Sequence, residues 1–293
     1  MNKVYTRFFF LIILVVTGIL SSSFMNLVEG QFLGTVTNVT SLTNLDNSNL
    51  GVNLENRTVN YFDQASGYLV YPALTKENKD SNNKNDTLPA VIMIHENKGL
   101  NDNIKKMANL LARNGYGYVV LAVDLFKGEV TTDRNRSSEL SQYVGDNQDI
   151  ATANLKSAVK YLSSLPNVNP EKIVSLGWCF GGGQSLQLAL NSQDHPVAAT
   201  IIYYGRLLTD NASLAKIKWP VLGIFGDQDK SISVDSVKAF EMALNSNGIP
   251  NEIYIYKGVG HAFANPSGEN YAPKETRDAW QKTLAFLEKH VGS

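Results

Sequence analysis

The chain has 293 residues and carries 26 Lys and Arg against 27 Asp and Glu, so its net charge of −1 sets up no field that selects nucleic acid or an anionic membrane surface. An apolar fraction of 43% supports a sizeable core, and the length suits one large domain, or one domain plus an appendage. The single cysteine excludes an internal disulfide and a thiolate zinc cluster, and no basic run interleaved with aromatics suggests a nucleic-acid groove.

In chain order, Lys3 and Arg7 precede an unbroken apolar or small run over residues 8–20, the charged and apolar regions of a secretory signal peptide. Ser21, Ser22 and Ser23 offer small residues for cleavage, without an A-x-A site. A weakly apolar run continues through Phe24, Met25, Leu27 and Val28, so residues 8–28 are also long enough for an uncleaved anchor. Residues 1–30 are therefore expected to be a signal peptide or an N-terminal membrane anchor, which makes the protein secreted or membrane-anchored and extracytoplasmic. Residues 31–57, rich in Asn, Thr and Ser, read as a linker. Asn38, Asn56, Asn85, Asn135 and Asn211 each begin an N-x-S/T triplet, candidate glycan acceptors in an exported protein.

A folded domain is expected over residues 58–293. Residues 58–62 and 67–71 flank a turn and read as a β-hairpin, and 78–86 is a polar loop. Residues 90–94 form a short apolar strand ending at His95-Glu96-Asn97. Ile104, Met107, Ala108 and Leu111 have helical spacing over 101–114, closed by Gly115. Strands are expected at 116–123, 172–177, 197–204, 220–225 and 252–256, and helices at 149–165, 181–191, 233–247 and 273–291. Short apolar strands alternating with amphipathic helices indicate a doubly wound, mostly parallel α/β sheet with helices on both faces. Ligands in such sheets bind beyond the carboxyl ends of the strands.

Three motifs fall at those ends. Gly177-Trp178-Cys179-Phe180-Gly181 joins a strand directly to a helix, a G-x-nucleophile-x-G elbow with Cys in the usual Ser position. The turn is sharp enough to demand tiny side chains at Gly177 and Gly181. The helix that follows aims its N-terminus at Cys179, and the Phe180 N–H becomes an oxyanion donor. A phosphate cradle is the competing use of such a turn, but the Gly-Lys-Ser/Thr of a P-loop is missing. Asp227 and Asp229 both lie just beyond the strand at 220–225, and either can orient a base while the other caps the turn. His261, one of four histidines, is the one in a Gly-rich loop after a strand. Nucleophile, acid and base in that chain order match the α/β-hydrolase arrangement. A free thiol has a pKa of about 8.5 and is mostly protonated at neutral pH, so it needs a base.

Glu96 after its strand, G-W-C-F-G-G, G-D-Q-D and G-H-A-F-A together resemble the dienelactone hydrolase, or carboxymethylenebutenolidase, family of α/β hydrolases over residues 58–291. The resemblance implies that Asp229 rather than Asp227 is the triad acid, that Glu96 contacts the resting thiol and helps deprotonate it, and that Asn97 is the second backbone oxyanion donor. It further implies hydrolysis of a small ester or lactone through an acyl-enzyme on Cys179, with no metal or organic cofactor. The family holds its substrate carboxylate with arginines. Here Asn265 stands directly after G-H-A-F-A in place of one, and Arg134 and Arg136 are the local candidates for the other, with Arg136 preferred. The loss at Asn265 leads to the expectation that neutral esters are turned over at least as well as acidic ones. Other acyl compounds, such as thioesters or small acyl peptides, and an exported binding module without turnover are the alternatives. No partner chain is called for, and a monomer is expected.

Overall fold

A computed structural model describes residues 52–73, 87–115 and 117–292. The segments expected to target or tether the chain (8–28), most of the linker, and the polar loop at 78–86 lie outside them. Among the described residues no helix is long and apolar enough to cross a membrane.

The described strands are β1 (Leu54–Phe62), β2 (Ala65–Pro72), β3 (Leu88–Ile94), β4 (Val119–Val123), β5 (Val168–Trp178), β6 (Ala199–Tyr203), β7 (Val221–Gly226) and β8 (Asn251–Tyr256). They form one sheet in the order β1-β2-β4-β3-β5-β6-β7-β8. The β1–β2 hairpin joins antiparallel to β4, and every pair from β4 through β8 is parallel. Every residue of β4, β6 and β7 is buried, as expected when helices cover both faces. β1 begins at Leu54, four residues inside the expected linker; only Val59 of this edge strand is buried, so its sequence carries little apolar alternation.

The helices are α1 (Asp102–Ala112), α2 (Arg134–Asp146), α3 (Gln148–Ser163), α4 (Phe180–Asn191), the single turn α5 (Asn211–Leu214), α6 (Val234–Ser246) and α7 (Pro273–Val291). Asn101, Asp133 and Ser233 cap α1, α2 and α6 by accepting from backbone N–H groups three residues on. Sequence reading assigns no element to the stretch that forms α2. Its buried face consists of Ser137, Leu140 and Val144, too little apolar periodicity to stand out from sequence.

The sheet changes direction at β3. The chain moves outward to β4 and then returns to place β5 on the other side. The carboxyl ends of β3 and β5 thus flank the topological switch point, where α/β sheets bind ligands. The β5–α4 turn packs there without room to spare. A Cβ at Gly177 would collide with the Gly181 carbonyl, and one at Gly181 would meet the carbonyl oxygens of Ile94 and, at 2.5 Å, His95. At Gly183 the nearest atoms, on Arg206, lie at 3.5 Å. Gly181→Ala is expected to cost roughly 3 kcal/mol, whereas Gly183→Ala is expected to be neutral or stabilising by up to about 1 kcal/mol. Denaturant unfolding of the two variants tests this, and equal stabilities would contradict the close packing of the turn.

Candidate active site

Cys179 is the hinge between β5 and α4, with φ 53° and ψ −115°. A non-glycine residue at positive φ is strained, and here the surroundings hold it. Its N–H donates to the Tyr203 carbonyl at 3.0 Å, and its carbonyl accepts from Gly183 N–H at 3.2 Å. The side chain is half-buried, and Sγ lies 3.1 Å from Nε2 of His261. His261 follows β8 in the loop that brings it back across the sheet end. Its Nδ1 lies 2.8 Å from Oδ2 of Asp229. The other oxygen of Asp229 accepts from the N–H groups of Ser231 at 2.7 Å and Ile232 at 3.0 Å. A carboxylate held in this way accepts a hydrogen bond from the Nδ1–H, which leaves Nε2 to face the sulfur.

The charges reinforce one another. Burial disfavours the imidazolium, but the bonds to Asp229 and Cys179 and the charges on both outweigh it and push His261 up to about 10. Burial likewise raises Asp229, yet the His261 bond and the two backbone donors hold it below the usual carboxylate range. Asp227, the other candidate acid, caps the loop instead: its Oδ1 accepts from Gly258 N–H at 2.7 Å and from the Gln228 side chain at 3.1 Å.

Glu96 follows β3 and is buried. Its carboxyl accepts from the Tyr204 hydroxyl at 3.4 Å and from the Asn265 amide. Burial raises it to about 7, against the opposing pull of Lys98, His261, Tyr204 and Asn265. The expected contact between Glu96 and the resting thiol is not the one found: the thiol is bonded to His261, and Glu96 to Asn265 and Tyr204. Asn265 is itself buried, its oxygen accepting from Ser267, so it serves Glu96 rather than the cavity.

His95, next to Glu96, is fully buried. Its Nε2 accepts the Leu125 N–H at 3.1 Å, so Nδ1 carries the proton and donates to the Glu96 carbonyl at 2.5 Å. That carbonyl belongs to the same rigid peptide unit as the Asn97 N–H. Asn97 and Phe180 both line the cavity with Cys179, and neither backbone N–H donates to an acceptor among the described residues.

The cavity over Cys179 has a volume of about 770 Å³ and also takes in His261, Tyr204 and Arg206. Arg136 does not join it. The guanidinium lies at the exposed start of α2, bound to both oxygens of Glu129 at 2.6 and 2.7 Å and to Glu139 at 2.9 Å. Those two carboxylates already use its donors, which accounts for the departure from the expected substrate contact. Sequence reading missed His95, Tyr204 and Arg206. Tyr204-Gly205-Arg206 directly follows β6, so the rule that ligands bind at carboxyl strand ends was the available signal.

Comparison with known proteins agrees with this architecture. The model of the dienelactone hydrolase family matches residues 79–291. A Saccharolobus solfataricus protein assigned by name as a carboxymethylenebutenolidase is 30% identical over 234 residues, 68% of this chain and 89% of its own. A Bradyrhizobium protein named as a 2-oxo-3-(5-oxofuran-2-ylidene)propanoate lactonase is 29% identical over 215 residues, 70% of this chain and 85% of its own. Among solved structures, a dienelactone hydrolase-like promiscuous phosphotriesterase from metagenomic libraries superposes with a TM-score of 0.70 at 22% identity, covering 82% of this chain and 99% of its own, and so shares the fold. With an eight-stranded α/β-hydrolase sheet and a family match across most of its length, the chain belongs to the dienelactone hydrolase family and is a hydrolase of the ester and lactone class.

Proposed function

We propose that the protein hydrolyses a small ester or lactone through an acyl-enzyme on Cys179, with His261 as base, Asp229 as the orienting acid, and the N–H groups of Phe180 and Asn97 as oxyanion donors. The observation that carries this reading is the continuous hydrogen-bonded line from Cys179 Sγ through His261 to Asp229, opening on one cavity with two unengaged N–H groups. In the first step the thiol proton passes to His261 Nε2 and the sulfur attacks the acyl carbon. The oxyanion accepts from the two N–H groups, and the imidazolium is held by Asp229. Collapse breaks the acyl C–O bond, and the leaving oxygen takes the proton from Nε2. In a lactone that oxygen remains tethered as the hydroxyl of the opened ring. Water then yields a proton to Nε2 and attacks the thioester. Collapse releases the acid and the thiolate, which recovers its proton from His261.

Glu96 fits as a buried carboxyl that burial raises to about 7 and that the nearby imidazolium draws back only in part. Export belongs to the same proposal: Lys3, Arg7 and the apolar run 8–20 support a secreted or tethered enzyme.

Since Cys179 is the sole thiol, iodoacetamide is expected to add one carboxamidomethyl group and abolish hydrolysis of para-nitrophenyl hexanoate in proportion. Fully alkylated protein that still turns over would remove Cys179 from the mechanism. The second expectation concerns Glu96. The folded protein holds its proton up to about pH 7, whereas an unfolded chain releases it near the ordinary glutamate value of 4.5. The raised value means that the fold favours the protonated form, so Glu96 costs stability as pH rises from the unfolded value through the folded one, and nothing below both. Glu96→Gln is therefore expected to stabilise the protein more near pH 8 than near pH 5, by at most about 3 kcal/mol. A stability difference between wild type and variant that does not change with pH would show that Glu96 titrates in its ordinary range.

A further inference from the structure

The cavity over Cys179 has apolar walls at Phe180, Leu207, Leu208 and Ile232, and a polar wall that the acyl-transfer chemistry leaves unused. Two helices build the polar wall. On α2, Ser138, Ser141 and Gly145 recur at helical spacing and share one face. On α4, Gly183, Gln184 and Gln187 do the same just beyond the nucleophile, and Gln148 at the start of α3 joins them. Neither a carboxylate nor a lysine lines the cavity, and Arg206, its one arginine, is exposed to solvent. Yet α2 carries Arg134, Arg136, Glu139 and Asp146, all of them exposed and none lining the cavity. Charge is thus kept off the face of α2 that borders the site, and α4 has no charged residue at all.

The wall is ordered by an amide pair. Gln184 is buried, and its carboxamide meets that of Gln148 reciprocally: Gln148 Nε2 donates to Gln184 Oε1 at 2.9 Å, and Gln184 Nε2 donates to Gln148 Oε1 at 3.0 Å. Gln148 also donates to the Thr152 hydroxyl at 3.4 Å. Each carbonyl keeps a second lone pair, and the Gln184 amide keeps a second N–H. Ser141 donates to the Ser137 carbonyl at 2.8 Å, which leaves its oxygen free to accept. The side chains of Ser138 and Gln187 bond to no protein atom among the described residues. The wall therefore offers donors and acceptors side by side, without net charge. A hydroxyl uses both, since it donates once and accepts twice; a carboxylate only accepts, and its charge would face the amide carbonyls.

We infer that the wall of α2 and α4 binds hydroxyl groups, so that the ester or lactone hydrolysed here is neutral and polyhydroxylated, of the sugar-lactone kind. The inference rests on the reading of Cys179 as nucleophile, which makes this cavity the substrate site. A polyhydroxylated ring matches both kinds of wall: hydroxyls at its rim meet the amides and serines, and the C–H bonds on its faces meet Phe180 and the leucines. The spread of polar groups over two helices fits several hydroxyls rather than one polar substituent. The assignment agrees with the preference for neutral substrates expected from Asn265 and gives it a positive cause, a wall that selects uncharged polar groups.

The test compares glucono-δ-lactone with δ-valerolactone, which share the lactone ring and differ in its hydroxylated substituents. Proton release is followed with the spontaneous rate subtracted, and each kcat/KM is divided by that lactone's own rate constant with hydroxide, which removes the activation of the carbonyl by the hydroxyls. The wild-type ratio of these normalised values, gluconolactone over valerolactone, is expected to be on the order of tenfold or more, the effect of a few net hydrogen bonds. Gln148→Met with Gln184→Met removes both amides together, so neither is left unpaired, and is expected to lower the ratio toward one, chiefly through KM for gluconolactone. Gln187→Met, at a side chain with no protein partner, is expected to lower it by roughly threefold and serves where the double variant does not fold. Arg136→Gln leaves the wild-type ratio in place. A wild-type ratio at or below one overturns the inference, as does a ratio that survives the Gln187 variant and the double variant where it folds, which would mean that other groups read the hydroxyls. Failure of the nucleophile reading looks different: it is valerolactone hydrolysis that persists after full alkylation of Cys179, whatever the ratio.

Discussion

The left-handed turn at Cys179 is the constraint from which the arrangement of this protein follows. A cysteine at φ 53° survives between β5 and α4 because three close backbone approaches leave no other path: Gly177 against the Gly181 carbonyl, Gly181 against the Ile94 and His95 carbonyls, and Cys179 N–H on the Tyr203 carbonyl. Those contacts join the ends of β3, β5 and β6 into one rigid rim. The rim turns the sulfur out of the sheet toward β8, where His261 meets it. It also sets the Phe180 N–H on the first turn of α4 and brings the Glu96–Asn97 peptide alongside, with His95 fixing that peptide from the β4 side.

Electrostatics then distributes charge over this rim. Asp229, held ionised by two backbone donors and the imidazole, acts with the bond and charge of Cys179 to push His261 up to about 10, which favours the imidazolium beside the sulfur. Glu96 is treated differently. Burial raises it to about 7, and its partners Asn265 and Tyr204 are neutral, so no adjacent cation is bonded to it to restore the ordinary range. Two carboxyl groups near one imidazole therefore have separated proton affinities, one always ionised at neutral pH and one poised to change. Such divergence is a mark of acid–base sites.

Legibility from sequence followed locality. The elbow needs contiguous residues, so Gly177 to Gly181 identify it without help, and the strand ends that carry Asp229, His261 and Glu96 follow from alternating apolar strands and amphipathic helices. The helix at 273–291 was readable to the residue because Pro273 opens it and its apolar period is regular. Elements with little apolar surface were not: β1 extends further back than its sequence suggests, and α2 is a helix where the polar sequence suggested no element. The cavity wall was least legible. Arg206 carries no motif, and the difference between it and Arg136 lies in whether two glutamates happen to fold alongside, which only tertiary structure decides. Asn265 shows the same limit. Its place after G-H-A-F-A suggested a missing substrate contact, yet its side chain is buried on Glu96.

The account stands on covalent chemistry at one sulfur, which rapid acid quenching of the enzyme during turnover of para-nitrophenyl hexanoate, followed by intact and peptide mass measurement, observes directly. It predicts a hexanoyl adduct on the peptide containing Cys179, formed in step with a burst of nitrophenolate and lost as substrate is exhausted. A burst accompanied by an adduct on any other side chain, or turnover that proceeds with Cys179 never acylated, would contradict it.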